Sequence, residues 1–162
     1  MPAGETATNT GYYNASAECW SPYTEVLGEE YRNAFLAGRV RQLTVDAYAV
    51  QHAGGQPDKS VDVHLCGLYP VLEKGFRSSH VPPNLQRLSA AIEFWPHFPP
   101  PEERGVLTIF DVAICGPVLG RIHTTREWAR SVWESWSPHH AAVARLVSDH
   151  LDAGLIEVNR GK

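Results

Sequence analysis

The sequence predicts an all-α fold, a compact single-domain helical bundle of five to seven helices, and three observations predict it. Apolar residues recur at three- and four-residue intervals in segment after segment. No stretch alternates apolar and polar residues in the two-residue period of a half-buried strand, and no Asn-Gly or Asp-Gly pair marks a hairpin. Finally, 162 residues with 43% hydrophobic and 20% charged content are enough for one core without disulfide or metal staples, which argues against disorder over most of the length.

Residues 1–16, rich in Gly, Thr, Ala and Asn, read as a flexible leader to a helical domain over 17–154, with 155–162 as a C-terminal tail. Ser21-Pro22 is a helix-start pair, and the period of Tyr23, Val26, Leu27, Glu30 and Tyr31 predicts a first helix to about Phe35, stopped near Gly38. A second helix, from about Val40 to His52, carries apolar residues around most of its circumference and is therefore largely buried. Ala53-Gly54-Gly55-Gln56-Pro57 ends it, and Asp58 or Ser60 caps a third helix from about Lys59 to Lys74, kinked by Pro70. Pro82-Pro83-Asn84 opens a shorter helix through Ile92, after which Trp95 to Pro101 forms an extended aromatic-bearing loop. Thr108 and Asp111 predict a capped short helix closed by Gly116-Pro117, and Thr124 with Glu127 predicts the capped start of a tryptophan-rich one. Ser137-Pro138 breaks the axis before a last helix, which runs to about Ala153 and stops at Gly154.

Composition excludes several functions. A formal charge of −4 gives no basic field for nucleic acid, so no nucleic-acid partner is expected. No segment approaches the ~20 apolar residues of a membrane span and no signal peptide precedes the first helix, so the expected location is cytoplasmic with no membrane partner. Cys19, Cys66 and Cys115 are too few and too scattered for a disulfide framework or a four-cysteine zinc site. There is no glycine-rich phosphate loop and no Gly-x-Ser-x-Gly elbow, so neither a nucleotide cofactor nor serine-nucleophile chemistry is expected.

The chemistry that remains is imidazole and carboxylate. Leu43 to His52 places Asp46, Tyr48, Gln51 and His52 in a helix whose burial obliges them to find partners. His64 lies on the apolar stripe of the third helix, and His139 and His140 border that of the last. Two readings follow. In one, His52, His64 and His140 converge as ligands of a divalent metal, zinc foremost, with Asp46 or Glu73 adding a carboxylate. In the other, a histidine works as a metal-free acid and base, its tautomer fixed by Asp46. On an ideal helix Asp46 and His52 point ~120° apart, so His52, on the face of Tyr48, is the residue expected to meet His64. Gln51, Trp95, Trp133 and Trp136 are candidate ligand-binding residues, although the tryptophans are equally accounted for by packing. His80, His97 and His123 read as loop or cap residues.

Leu43-Thr44-Val45-Asp46-Ala47-Tyr48-Ala49-Val50-Gln51-His52, Ser60-Val61-Asp62-Val63-His64-Leu65 and the Trp128 to His140 segment occur in this order. Together they resemble an uncharacterised bacterial family of unknown function, over roughly Cys19 to Leu151. The resemblance implies no established activity. It does imply an N-terminal Cys-x-x-Cys segment suggestive of a small zinc knuckle, from which this chain departs by keeping only Cys19. By looser analogy the layout resembles small helical-bundle metalloproteins. The function expected is an enzyme acting on a small organic molecule in a histidine-lined pocket between helices, with catalytic candidates Asp46, Tyr48, His52, His64, His139 and His140. The alternative is a non-catalytic helical module that binds a small molecule or a partner and uses its histidines structurally. Oligomeric state is left open, a homodimer being one option.

Overall fold

The computed structural model describes residues 15–151, in which seven α-helices and two one-turn 3-10 helices occur and no strand does. Residues 1–14 of the expected leader 1–16, the expected tail 155–162 and the stop expected at Gly154 lie outside the described residues.

Helix α1 spans Ala17–Arg32 and starts earlier than Ser21-Pro22 suggests. The Ser16 side chain accepts from the Cys19 amide at 3.3 Å, and Pro22 falls inside the helix. One lost backbone bond there is the cost of a proline beyond the first turn. Asn33 then ends α1 and caps α2, Ala34–Gln51, its Oδ1 accepting from the Leu36 amide at 3.2 Å. Gly38 is therefore interior to α2 and not a stop. A side-chain acceptor that satisfies an orphan amide outweighs the modest cost of a helical glycine.

The circumferential apolar pattern of α2 has the expected consequence: from Leu43 to Gln51 every residue but Val45 is buried. Helix α2 is the axis of the bundle, packing against α1, α6, α3 (Asp58–Lys74) and the 3-10 turn Ser78–His80. Pro57 precedes α3 without a side-chain cap, so neither Asp58 nor Ser60 plays that part. Gly75 closes α3 in the left-handed conformation, φ 70°, which glycine adopts without strain.

Helix α4, Val81–Ala91, leads into the proline loop, which is non-helical as expected. Helix α5, Ile109–Ala113, carries the full reciprocal capping box of Thr108 and Asp111. Helix α6, Val118–Ser135, begins directly after Pro117, so Thr124, Glu127 and His123 are interior to it and cap nothing. Residues three apart share a helix face anywhere along its length, and so the Thr-Glu spacing is not by itself a start signal. Arg121 of α6 donates to the carbonyls of Cys115 and Ala113, both at 3.2 Å, and pairs with Glu29 of α1. It thereby satisfies the open C-terminal end of the short α5. The turn Ser137–His139 breaks the axis before α7, His140–His150. Leu43, Leu65, Leu68, Trp128, Val132, Trp133, Trp136 and Val143, all without exposed surface, form the centre of the core.

Candidate functional site

The central polar contact joins α2 to α3. Asp46 has no exposed surface, and its Oδ1 lies 2.8 Å from Nδ1 of His64 and 2.9 Å from the donating Nε2 of Gln42. The two helices close around this carboxylate because residue 67 is glycine. A Cβ built there would lie 2.1 Å from Asp46 Oδ2, a separation no side chain tolerates. On α3, Gly67 is three residues beyond His64, so it shares the face from which His64 reaches across.

Burial pushes the Asp46 carboxyl up from its usual range, against the opposing pull of His64 and Gln42. When Asp46 is ionised, Nδ1–H of His64 donates to it and Nε2 carries the lone pair. His64 is held on one edge and open on the other, its side chain 17% exposed. It lines a groove of about 340 Å³ shared with Pro57, Lys59, Ser60 and Val63 of the α3 entry and Ser89 of α4. On the same helix as His64, Asp62 is buried with neither carboxylate oxygen bonded within the described residues. Burial, and next the nearby Asp58, push Asp62 up to about 7. Cys66, one turn on, is buried, and burial with Asp62 and Asp46 raises its thiol far above the usual value, so it stays protonated and unreactive.

His52 belongs to a different place. Its ring packs on Tyr48 at 4.2 Å between centroids, its Nδ1 lies 3.0 Å from the Tyr48 carbonyl, and Tyr48 in turn stacks on Tyr23 at 3.7 Å. Burial, and in smaller part the charge of Arg104, lower its pKa and keep it neutral. It lines a cleft of about 320 Å³ with Cys19, Gln51, Arg104 and Thr108. The sequence expectation on this point is corrected: Asp46, not the Tyr48–His52 face, meets His64.

Gln51 is fully engaged. Its amide donates to the carbonyls of Arg104 and Leu107 at 3.0 and 2.8 Å, and its Oε1 accepts from Trp128 Nε1 at 2.9 Å. Arg104 answers by donating to the Ala53 carbonyl at 2.9 Å. These bonds hold the end of the proline loop on α2, and Gly105, at φ 95°, passes so close to the Ser131 backbone that a Cβ would lie 2.9 Å from it.

His140 stacks on Trp133 at 3.9 Å with its Nε2 2.8 Å from the Trp133 carbonyl, while Trp133 Nε1 donates to Glu73 at 2.7 Å. His139 sits between the rings of Phe98 and Trp136, at 5.0 and 5.9 Å. Trp133 and Trp136 have no exposed surface, and Trp95 packs half-buried against the core. The aromatic loop thus lies down on the bundle. His52, His64 and His140 do not come together, and among the described residues no group of three or more His, Cys, Asp or Glu is placed to hold a metal ion. Nor is any helix of the described residues long and apolar enough to cross a membrane.

The fold and site together define an all-α bundle whose central helix carries a buried carboxylate bonded to a groove-lining histidine. The chain belongs to DUF5946, a family of unknown function, whose match spans residues 4–137. No curated protein and no solved structure matches it.

The sequence pointed to Asp46 and His64 but missed what completes their setting. Gly67 makes room for the carboxylate, and Lys59, Ser60 and Ser89 line the groove. The signal for Gly67 was present, as a residue without a side chain on the His64 face of a helix that must approach another. Ser60, one turn before His64 on the same helix, had a signal in its spacing, whereas Ser89 left none, because only the packing of α4 on α3 brings it near.

Proposed function

We propose that the protein is an enzyme acting on a small organic molecule, with His64 as its general acid and base and Asp46 as the group that orients it. The observation that carries this reading is the 2.8 Å bond between a fully buried Asp46 and a His64 that still opens on a groove. A carboxylate on one imidazole nitrogen fixes the tautomer and stabilises the imidazolium that forms when the other takes a proton. Nε2 of His64 is the working atom, and it has no hydrogen-bond partner among the described residues. The hydroxyls of Ser60 and Ser89 supply hydrogen bonds for orientation, and Lys59 favours a substrate with negative charge or a polarisable carbonyl. The reaction class is proton transfer, in hydrolysis or at carbon next to a carbonyl.

The test is turnover of a panel of small esters and enolisable carbonyl compounds by the purified protein and its variants. His64→Gln abolishes turnover, and Asp46→Asn lowers it by about 10²-fold or more while the ring remains in place. Equal turnover by His64→Gln and the parent eliminates the assignment.

The second reading, a non-catalytic binding module, draws on His52, packed at a tilt against Tyr48, and His140, stacked on Trp133, each bonded to a backbone carbonyl as a structural histidine would be. It predicts that His64→Gln changes only stability or ligand affinity.

A further inference from the structure

Away from His64, three arginines line one pocket of about 510 Å³: Arg39 of α2, Arg77 just before the Ser78–His80 turn and Arg126 of α6. None of them forms an ion pair within the described residues, and no acidic side chain lines the pocket. In a chain whose formal charge is −4, three exposed arginines around one pocket with no acidic neighbour make a locally positive surface that favours an anion.

A second observation points to the same ligand. Ser78, which lines the pocket, is only 4% exposed, and its Oγ has no hydrogen-bond partner within the described residues. A buried hydroxyl without a partner costs free energy that a bound acceptor would recover. Guanidinium forks match the oxygens of a tetrahedral anion, and hydroxyls such as those of Ser78 and Ser79 complete its shell.

The pocket is also larger than one phosphate group requires. Along its wall lies Phe35, half exposed, with the Arg39 guanidinium 4.5 Å above its ring. That is a shelf for a flat or apolar organic group.

We infer that this pocket is a binding site for a small phosphate monoester, its phosphate held by Arg39, Arg77, Arg126 and Ser78 and its organic part laid against Phe35. The site is independent of the His64 groove and does not rest on the acid–base reading.

Isothermal titration at fixed ionic strength, with inorganic phosphate and with phenyl phosphate, tests the proposal. Both bind the parent protein, phenyl phosphate the more tightly. Arg77→Gln and Arg126→Gln each weaken both ligands by about tenfold or more, and Phe35→Ala removes the preference for phenyl phosphate while leaving inorganic phosphate bound. No binding of either anion at millimolar concentration overturns the proposal, as does unchanged affinity in both glutamine variants. Tighter binding of a short single-stranded oligonucleotide than of phenyl phosphate overturns its assignment to a small molecule. Should a variant fail to fold, the amide spectrum of the parent protein titrated with inorganic phosphate decides: shifts centred on Arg39 and Arg77 to Ser79 support the site, and shifts elsewhere or none refute it.

Discussion

Glu30 of α1 has no exposed surface, and its Oε1 is 2.6 Å from Oγ1 of Thr44 on α2. Ionised, it accepts the Thr44 hydroxyl; protonated, it donates to Thr44, whose hydroxyl then turns to the Val40 carbonyl at 3.1 Å. Burial, only partly opposed by Thr44 and Arg41, pushes its carboxyl from 4.5 up to about 7. The folded state therefore holds a proton that the unfolded chain releases. This contribution to stability is complete below about pH 4.5 and is lost as pH rises through about 7. The full difference amounts to about 3 kcal/mol. Glu30→Gln keeps the shape and both hydrogen-bonding options but cannot ionise. Chemical denaturation at a series of pH values should find the variant more stable by about 3 kcal/mol at pH 8 and by less than about 1 kcal/mol at pH 5. Asp62, also raised to about 7, tilts both proteins in the same direction, so the decisive quantity is the difference between them at each pH. A difference that does not change with pH, or a variant less stable at pH 8, refutes the reasoning.

Gly67→Ala places a methyl group where the Asp46 carboxylate sits. The carboxylate must leave His64 and Gln42, at an expected cost of about 2–4 kcal/mol. An unchanged melting temperature together with an unchanged His64 ring spectrum would count against the packing described. Gln51→Ala strands Trp128 Nε1 and the carbonyls of Arg104 and Leu107. The expected loss is about 2–3 kcal/mol, with faster hydrogen exchange over 104–107; exchange no faster than in the parent would show that the loop is held by other contacts.

The architecture was legible because it depends on periodicity, which every turn of a helix repeats. Boundaries were less so, because each depends on one local competition. Ser16 and Ser21 both offer a capping hydroxyl, and Ser16, whose own backbone is extended at ψ 159°, takes the part. Asn33 and Gly38 compete as breaks, and the one whose side chain bonds an orphan amide prevails. Thr124 and Glu127 have the spacing of a capping box, yet the helix is already running from Val118, and so the spacing carries no information there.

The site was half legible for a related reason. An angle between two residues on one helix, such as that between Asp46 and His52, tells whether they point together but not which neighbour each will meet. On a surface helix the apolar face answers that question. On α2, buried nearly all round, α1, α3 and α6 take different sectors, so Asp46 and His52 each found a partner and the partners differ. What selects α3 for Asp46 is the missing side chain of Gly67, which opens space for a carboxylate in an otherwise filled contact. A buried acid on one helix and a glycine three residues from a histidine on the next form a complementary pair, and that pairing carries more information than the histidines counted alone. The arginine pocket has no counterpart at this level: Arg39 lies on α2, Arg126 on α6 and Arg77 in the chain before the Ser78–His80 turn, with no shared period, and the packing of that turn and of α6 on α2 draws them to one place.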